Sequence, residues 1–128
     1  MSLEAIEDDY WGPPTGTTTR LVAECHRLRT IPLPDLTPEN TRLLIGQQIS
    51  LPILIPRILP LLEANPLLEA TFYPGDVLQT VLEVPTSFWQ SHPALQTHLK
   101  TIVDAIPLPH PDLIDPVTNA ITTFRSTE

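Results

Sequence analysis

Few residues in this chain have the types and spacing that chemistry requires. Cys25 stands beside His26, and a thiol next to an imidazole is the raw material of a nucleophile–base pair. Neighbours on a helix, however, point about 100° apart and do not meet. Cys25 is therefore expected to be a buried structural cysteine. As the only cysteine, it can form no intramolecular disulfide. His92 and His98 are six positions apart, which separates them by about 240° around a helix, and His110 lies among prolines. Asp112 and Asp115 have the spacing of two loop ligands, but no glycine-turned calcium loop surrounds them. Asp115 followed by Pro116 reads instead as the start of a helix. No glycine-rich phosphate cradle is present. The expectation is no catalytic residue, no cofactor and no metal, and hence a protein that is not an enzyme. A small hydrolase or lyase built on His26 or His92 would need activity that a single histidine substitution abolishes.

The elements that position these residues are short and helical. The apolar stretch from Leu51 to Leu62 carries a single charge, Arg57, and a segment apolar on nearly every side must be covered on nearly every side. It is shorter than the roughly 20 apolar residues that span a bilayer. It reads as a buried central helix starting near Ser50. Pro52, Pro56 and Pro60 form one stripe along it, and the helix is expected to kink or restart at Pro56. The alternative is a short apolar strand over residues 49–55.

Around this element the spacing predicts further helices. Ser2 caps a short LEAIEDD helix, frayed where Glu7, Asp8 and Asp9 meet its C-terminal dipole. Residues 19–29 carry the stripe Leu21, Val22, Cys25, Leu28, with Glu24 and Arg27 as an i, i+3 pair. Thr37-Pro38-Glu39 opens a helix to about Gln47, with Gly46 marking close packing or its end. A helix over residues 77–83 follows the turn Phe72-Tyr73-Pro74-Gly75-Asp76. Thr86 caps a short turn carrying Phe88 and Trp89, a helix spans residues 94–106, and a last one opens at Asp115. No segment alternates with period two. The fold class is all-α, a single domain over residues 1–128, a compact bundle of about seven short helices around the buried helix near residues 50–64.

Charge narrows the partners. Fifteen acids against seven bases give a net charge of -8, with one lysine and scattered arginines. A nucleic-acid ligand needs clustered cations, so none is expected. An acidic surface suits a basic protein partner and speeds encounter with it. The opening MSLEAIEDDY has neither a basic nor an apolar targeting region, so a cytoplasmic protein is expected. Aromatic and acidic residues come together at Asp8-Asp9-Tyr10-Trp11 and at Phe72 to Asp76, a combination that protein-binding surfaces use. Trp11, Phe72 and Trp89 are expected to plug the core from its edges.

The ordered string of motifs resembles one family of immunity proteins from bacterial contact-dependent growth inhibition systems. It comprises Asp8-Asp9-x-Trp11-Gly12-x-Pro14, then Leu21-Val22-x-x-Cys25-His26-Arg27-Leu28-Arg29-x-x-Pro32-Leu33, then Leu36-Thr37-x-Glu39-x-x-Arg42-x-x-Ile45-Gly46-Gln47-x-Ile49-x-Leu51. It continues with Leu62-Glu63-x-Asn65-Pro66, then Phe72-Tyr73-Pro74-Gly75-Asp76-x-Leu78-x-x-Val81-Leu82, and closes with Phe88-Trp89. The resemblance covers residues 7–95. It implies a protein that binds and neutralises the C-terminal domain of a cognate toxin, often a nuclease and therefore basic, in the cytosol of the producing cell, without membrane or metal. The recognition surface is expected at Glu7, Asp8, Asp9, Tyr10, Glu69 and Tyr73. His26-Arg27, Arg42 and Asp76 are expected to form a buried polar network fixing the helices. The competing reading is a generic helical adaptor or scaffold, recognisable by self-association without a toxin.

Overall fold

A computed structural model describes residues 1–10, 20–70 and 72–126. Among them are eight α-helices and no strand: α1 (Leu3–Glu7), α2 (Arg20–Arg29), α3 (Pro38–Gly46), α4 (Leu51–Ala64), α5 (Asp76–Leu82), α6 (Thr86–Ser91), α7 (Pro93–Asp104) and α8 (Asp115–Ser126). A 3-10 turn, Leu33–Asp35, connects α2 to α3. The all-α expectation holds. The short turn carrying Phe88 and Trp89 is a helix in its own right, with Thr86 as its first residue and not as a side-chain cap.

Local chemistry explains the starts. Ser2 Oγ accepts from the amide of Ala5 at 3.3 Å and opens α1. Thr37 and Asn40 form a reciprocal capping box at 3.1 Å in each direction, with Pro38 as the first helical residue of α3. Gly46 closes α3. Gln48 and Ser50 then turn the chain through left-handed backbone, at φ 58° and 55°.

α4 is the centre. Leu51, Leu54, Ile55, Ile58, Leu59 and Leu62 are all buried, and α3 and α7 pack against it. Its stripe of Pro52, Pro56 and Pro60 is exposed. The helix runs from residue 51 to residue 64 without interruption, so the restart expected at Pro56 does not occur. The carbonyls that lose their amide partners belong to Pro52 and Pro56, both exposed and so open to solvent hydrogen bonds, while the apolar side buries continuously.

The other helices close the core around it, with Leu3 of α1, Leu28 of α2, Leu44 and Ile45 of α3 and the inner faces of α5, α7 and α8 all buried. Val117 and Ile121 of α8 are 0% exposed and face α5. Trp89 is buried as expected, its indole N–H donating to the Val84 carbonyl at 3.2 Å and its ring edge-on to Phe124. Arg125 Nη2 donates to the carbonyls of Val103 and Ile106 at 2.7 and 3.0 Å, so α8 satisfies the end of α7. Phe72 departs from expectation. It is 65% exposed and does not plug the core. Trp11, with Gly12 and Pro14 of the family string, lies outside the described residues.

Candidate partner-binding surface

Two clusters of the expected recognition residues take their positions from different anchors. The first is the end of α1. Asp8, at φ 51°, ends that helix after five residues, which fits three successive acids meeting the negative end of its dipole. The compensating charge is Arg29, the last residue of α2 and only 1% exposed. Its guanidinium donates to Glu7 Oε1 at 2.7 Å and to the Asp9 carbonyl at 2.8 Å. Ser50 Oγ, just before α4, donates to the same Glu7 oxygen at 2.9 Å. Glu7 and the backbone of Asp9 are thus fixed from two elements, while Asp8 and Tyr10 stay exposed beside them, Tyr10 at 63%.

The second cluster is the connection between α4 and α5. The buried carboxylate of Asp76 accepts from the amides of Ala70 at 2.8 Å and Phe72 at 3.0 Å. Gly75 turns at φ 87°, and a Cβ there would lie 3.0 Å from Val117 Cγ1 and 3.2 Å from Leu113 Cδ2, so a side chain would strain the turn and crowd both neighbours. Tyr73 is half-buried, its hydroxyl donating to Gln79 Oε1, and Gln79 in turn donates to Glu83. Glu69 is exposed.

The expected polar network needs one correction. Arg27 is 57% exposed and pairs with Glu24 one turn earlier, so it fixes no helix arrangement. Arg29 occupies the buried position instead. Cys25, Leu28 and Arg29 stand at i, i+3 and i+4, a spacing that marks 29 as an inward position. The other end of the expected stripe is open, since Leu21 and Val22 are exposed. Arg42 donates to Glu39 through Nε at 3.0 Å and Nη2 at 2.7 Å. That hydrogen-bonded pair, reinforced by the nearby charges of Glu39 and Asp76, raises its pKa against the opposing effect of burial. Arg42 and Asp76 are thereby electrostatic neighbours, and the acid also accepts from the backbone amides of Ala70 and Phe72.

Cys25 is 3% exposed, and burial followed by the charge of Glu24 pushes its thiol pKa up. His26 is half-buried next to it. His92 Nδ1 donates to the Phe88 carbonyl at 2.9 Å, and His98 Nε2 meets Glu63 Oε2 at 2.9 Å. His110 Nδ1 accepts from the Asp112 amide at 3.1 Å. Among the described residues no three histidine, cysteine or acidic side chains converge to hold a metal ion. No helix among them is long and apolar enough to cross a membrane. A groove of about 480 Å³ runs between α5, α6 and α8, lined by Leu82, Glu83, Trp89, Asn119 and Phe124 among others.

A sequence model of the family described as CDI immunity proteins matches residues 5–99, well over half of the chain. The chain belongs to the CDI immunity proteins. No curated protein and no solved structure matches it.

Proposed function

We propose that this protein binds the C-terminal toxin domain of a contact-dependent growth inhibition system and neutralises it, protecting the cell that makes both. The family match over residues 5–99 carries this reading. The toxin domain is a basic nuclease acting in the cytoplasm, and the immunity protein meets it there as a stoichiometric inhibitor, with no catalytic, metal or cofactor chemistry of its own. A net charge of -8 supports a basic partner. The contact face includes residues at the end of α1 and in the α4–α5 connection: Glu7, Asp8, Asp9, Tyr10, Glu69 and the half-buried Tyr73. Arg29 presets the first group, so less ordering entropy is lost on binding.

Titration calorimetry with the toxin domain encoded beside this gene, at two salt concentrations, tests the reading. Tight one-to-one binding that weakens with salt, and a flatter salt dependence after Asp8→Lys and Asp9→Lys, is expected. Absence of binding would leave the family assignment as a statement of descent and overturn the proposed partner. Unchanged affinity and salt slope in the charge reversals would remove the α1 acids from the contact face.

A further inference from the structure

Phe72 is a large apolar ring left in water at 65% exposure, where burial against the adjacent core would be favourable. Its position is fixed from three directions. Its own amide is bound to Asp76 Oδ2 at 3.0 Å, and the amide of Ala70, two residues earlier, to Oδ1 at 2.8 Å. The ring lies over the Arg42 guanidinium, 4.9 Å from carbon to ring centroid. That guanidinium is itself clamped by both carboxylate oxygens of Glu39. One face of the ring therefore rests on a planar support, and the exposed remainder points away from it.

The charges near this pedestal are acidic. Glu39 offsets the charge of Arg42, Glu69 is exposed three residues before the ring, and Glu83 is linked to the same connection through Gln79 and Tyr73. A held aromatic surrounded by polar groups has the anatomy of an interface anchor: it has little conformational freedom to lose, and its rim excludes water once covered. The rim selects the partner. A second copy of this chain would bring the same acids to the contact and be repelled, whereas a surface bearing lysine and arginine is attracted.

We infer that Phe72 is the aromatic anchor of the toxin-binding surface, entering an apolar recess bordered by basic side chains on the toxin domain. This rests on the toxin-neutralising reading above. Arg42 acts as the positioning residue beneath it.

The test is calorimetry of the cognate toxin domain against the wild-type chain, Phe72→Ala, Arg42→Gln and Ile114→Ala, the last removing an apolar side chain that is 42% exposed elsewhere. Phe72→Ala is expected to weaken binding roughly thirty-fold or more while leaving the salt slope and the free protein's melting temperature unchanged. Arg42→Gln is expected to weaken it several-fold, and Ile114→Ala to leave it unaltered. Tight wild-type binding with an unweakened Phe72→Ala, or equal losses at Phe72 and Ile114, would overturn the anchor and leave the toxin reading intact. A wild-type chain that does not bind would overturn both.

Discussion

Arg29 and Glu7, 22 residues apart in sequence, meet at 2.7 Å, and the arginine is 1% exposed. The pair joins the end of α1 to the end of α2. Removing one partner of a buried pair strands the other, at about 3–5 kcal/mol. Glu7 is 29% exposed, which screens part of that. Arg29→Met is therefore expected to destabilise by about 1–3 kcal/mol. It should also release residues 7–10, seen as faster amide exchange at Asp9 and weaker toxin binding. Urea unfolding and hydrogen exchange check both.

Asp76 holds the α4–α5 connection through two backbone amides. Asp76→Ala leaves both without their acceptor, at roughly 1–3 kcal/mol each, so a loss of about 2–6 kcal/mol is expected. Asp76→Asn keeps one acceptor oxygen and should lose about half of that. Equal stability of the three proteins in urea would mean that water replaces the carboxylate.

Pro56 and Pro60 interrupt the hydrogen bonds of α4 on its exposed side. Pro60→Ala restores one bond, while giving the unfolded chain more freedom. The net is expected to be a gain of about 1 kcal/mol, or a melting temperature about 3–5 °C higher. A drop in melting temperature would mean that the ring packs in a way its exposure does not suggest.

Cys25 has its thiol pKa raised by burial. Its contribution to stability is fully present below the unfolded thiol's pKa of about 8.5 and is lost as pH rises above it, because only the unfolded chain then ionises readily. Wild-type stability should fall as pH rises above about 8.5 relative to Cys25→Ala, a variant with no thiol to titrate there. The native thiol should also react with an alkylating reagent far more slowly than in denaturant.

The helices were legible because their signals are local. Caps at Ser2 and Thr37, the apolar run of α4 and the stripe of α7 are all short-range patterns. Three things were not legible, and each depends on residues distant in sequence. Whether prolines break α4 depends on which side faces water, which only its packing against α3 and α7 decides. Which arginine is buried depends on the arrival of Glu7 and Asp9 from the first helix, although the Cys25–Leu28–Arg29 spacing pointed to it. Whether Phe72 packs inward or outward depends on Arg42 lying beneath it and Asp76 holding its amide. The recognition surface is the least legible part, because an exposed acid looks the same in sequence whether or not a partner covers it.

Gly75 is pressed against Val117 and Leu113, so the turn that carries Phe72 is moulded on α8 and its approach. The family match ends at residue 99, before that helix begins. A chimera that exchanged only residues 5–99 with a relative would seat a foreign turn on this chain's α8, crowding the glycine or leaving a void beneath it. The segment that can be transplanted as a working unit therefore extends through the last helix, and a graft of specificity between relatives has to carry α8 along.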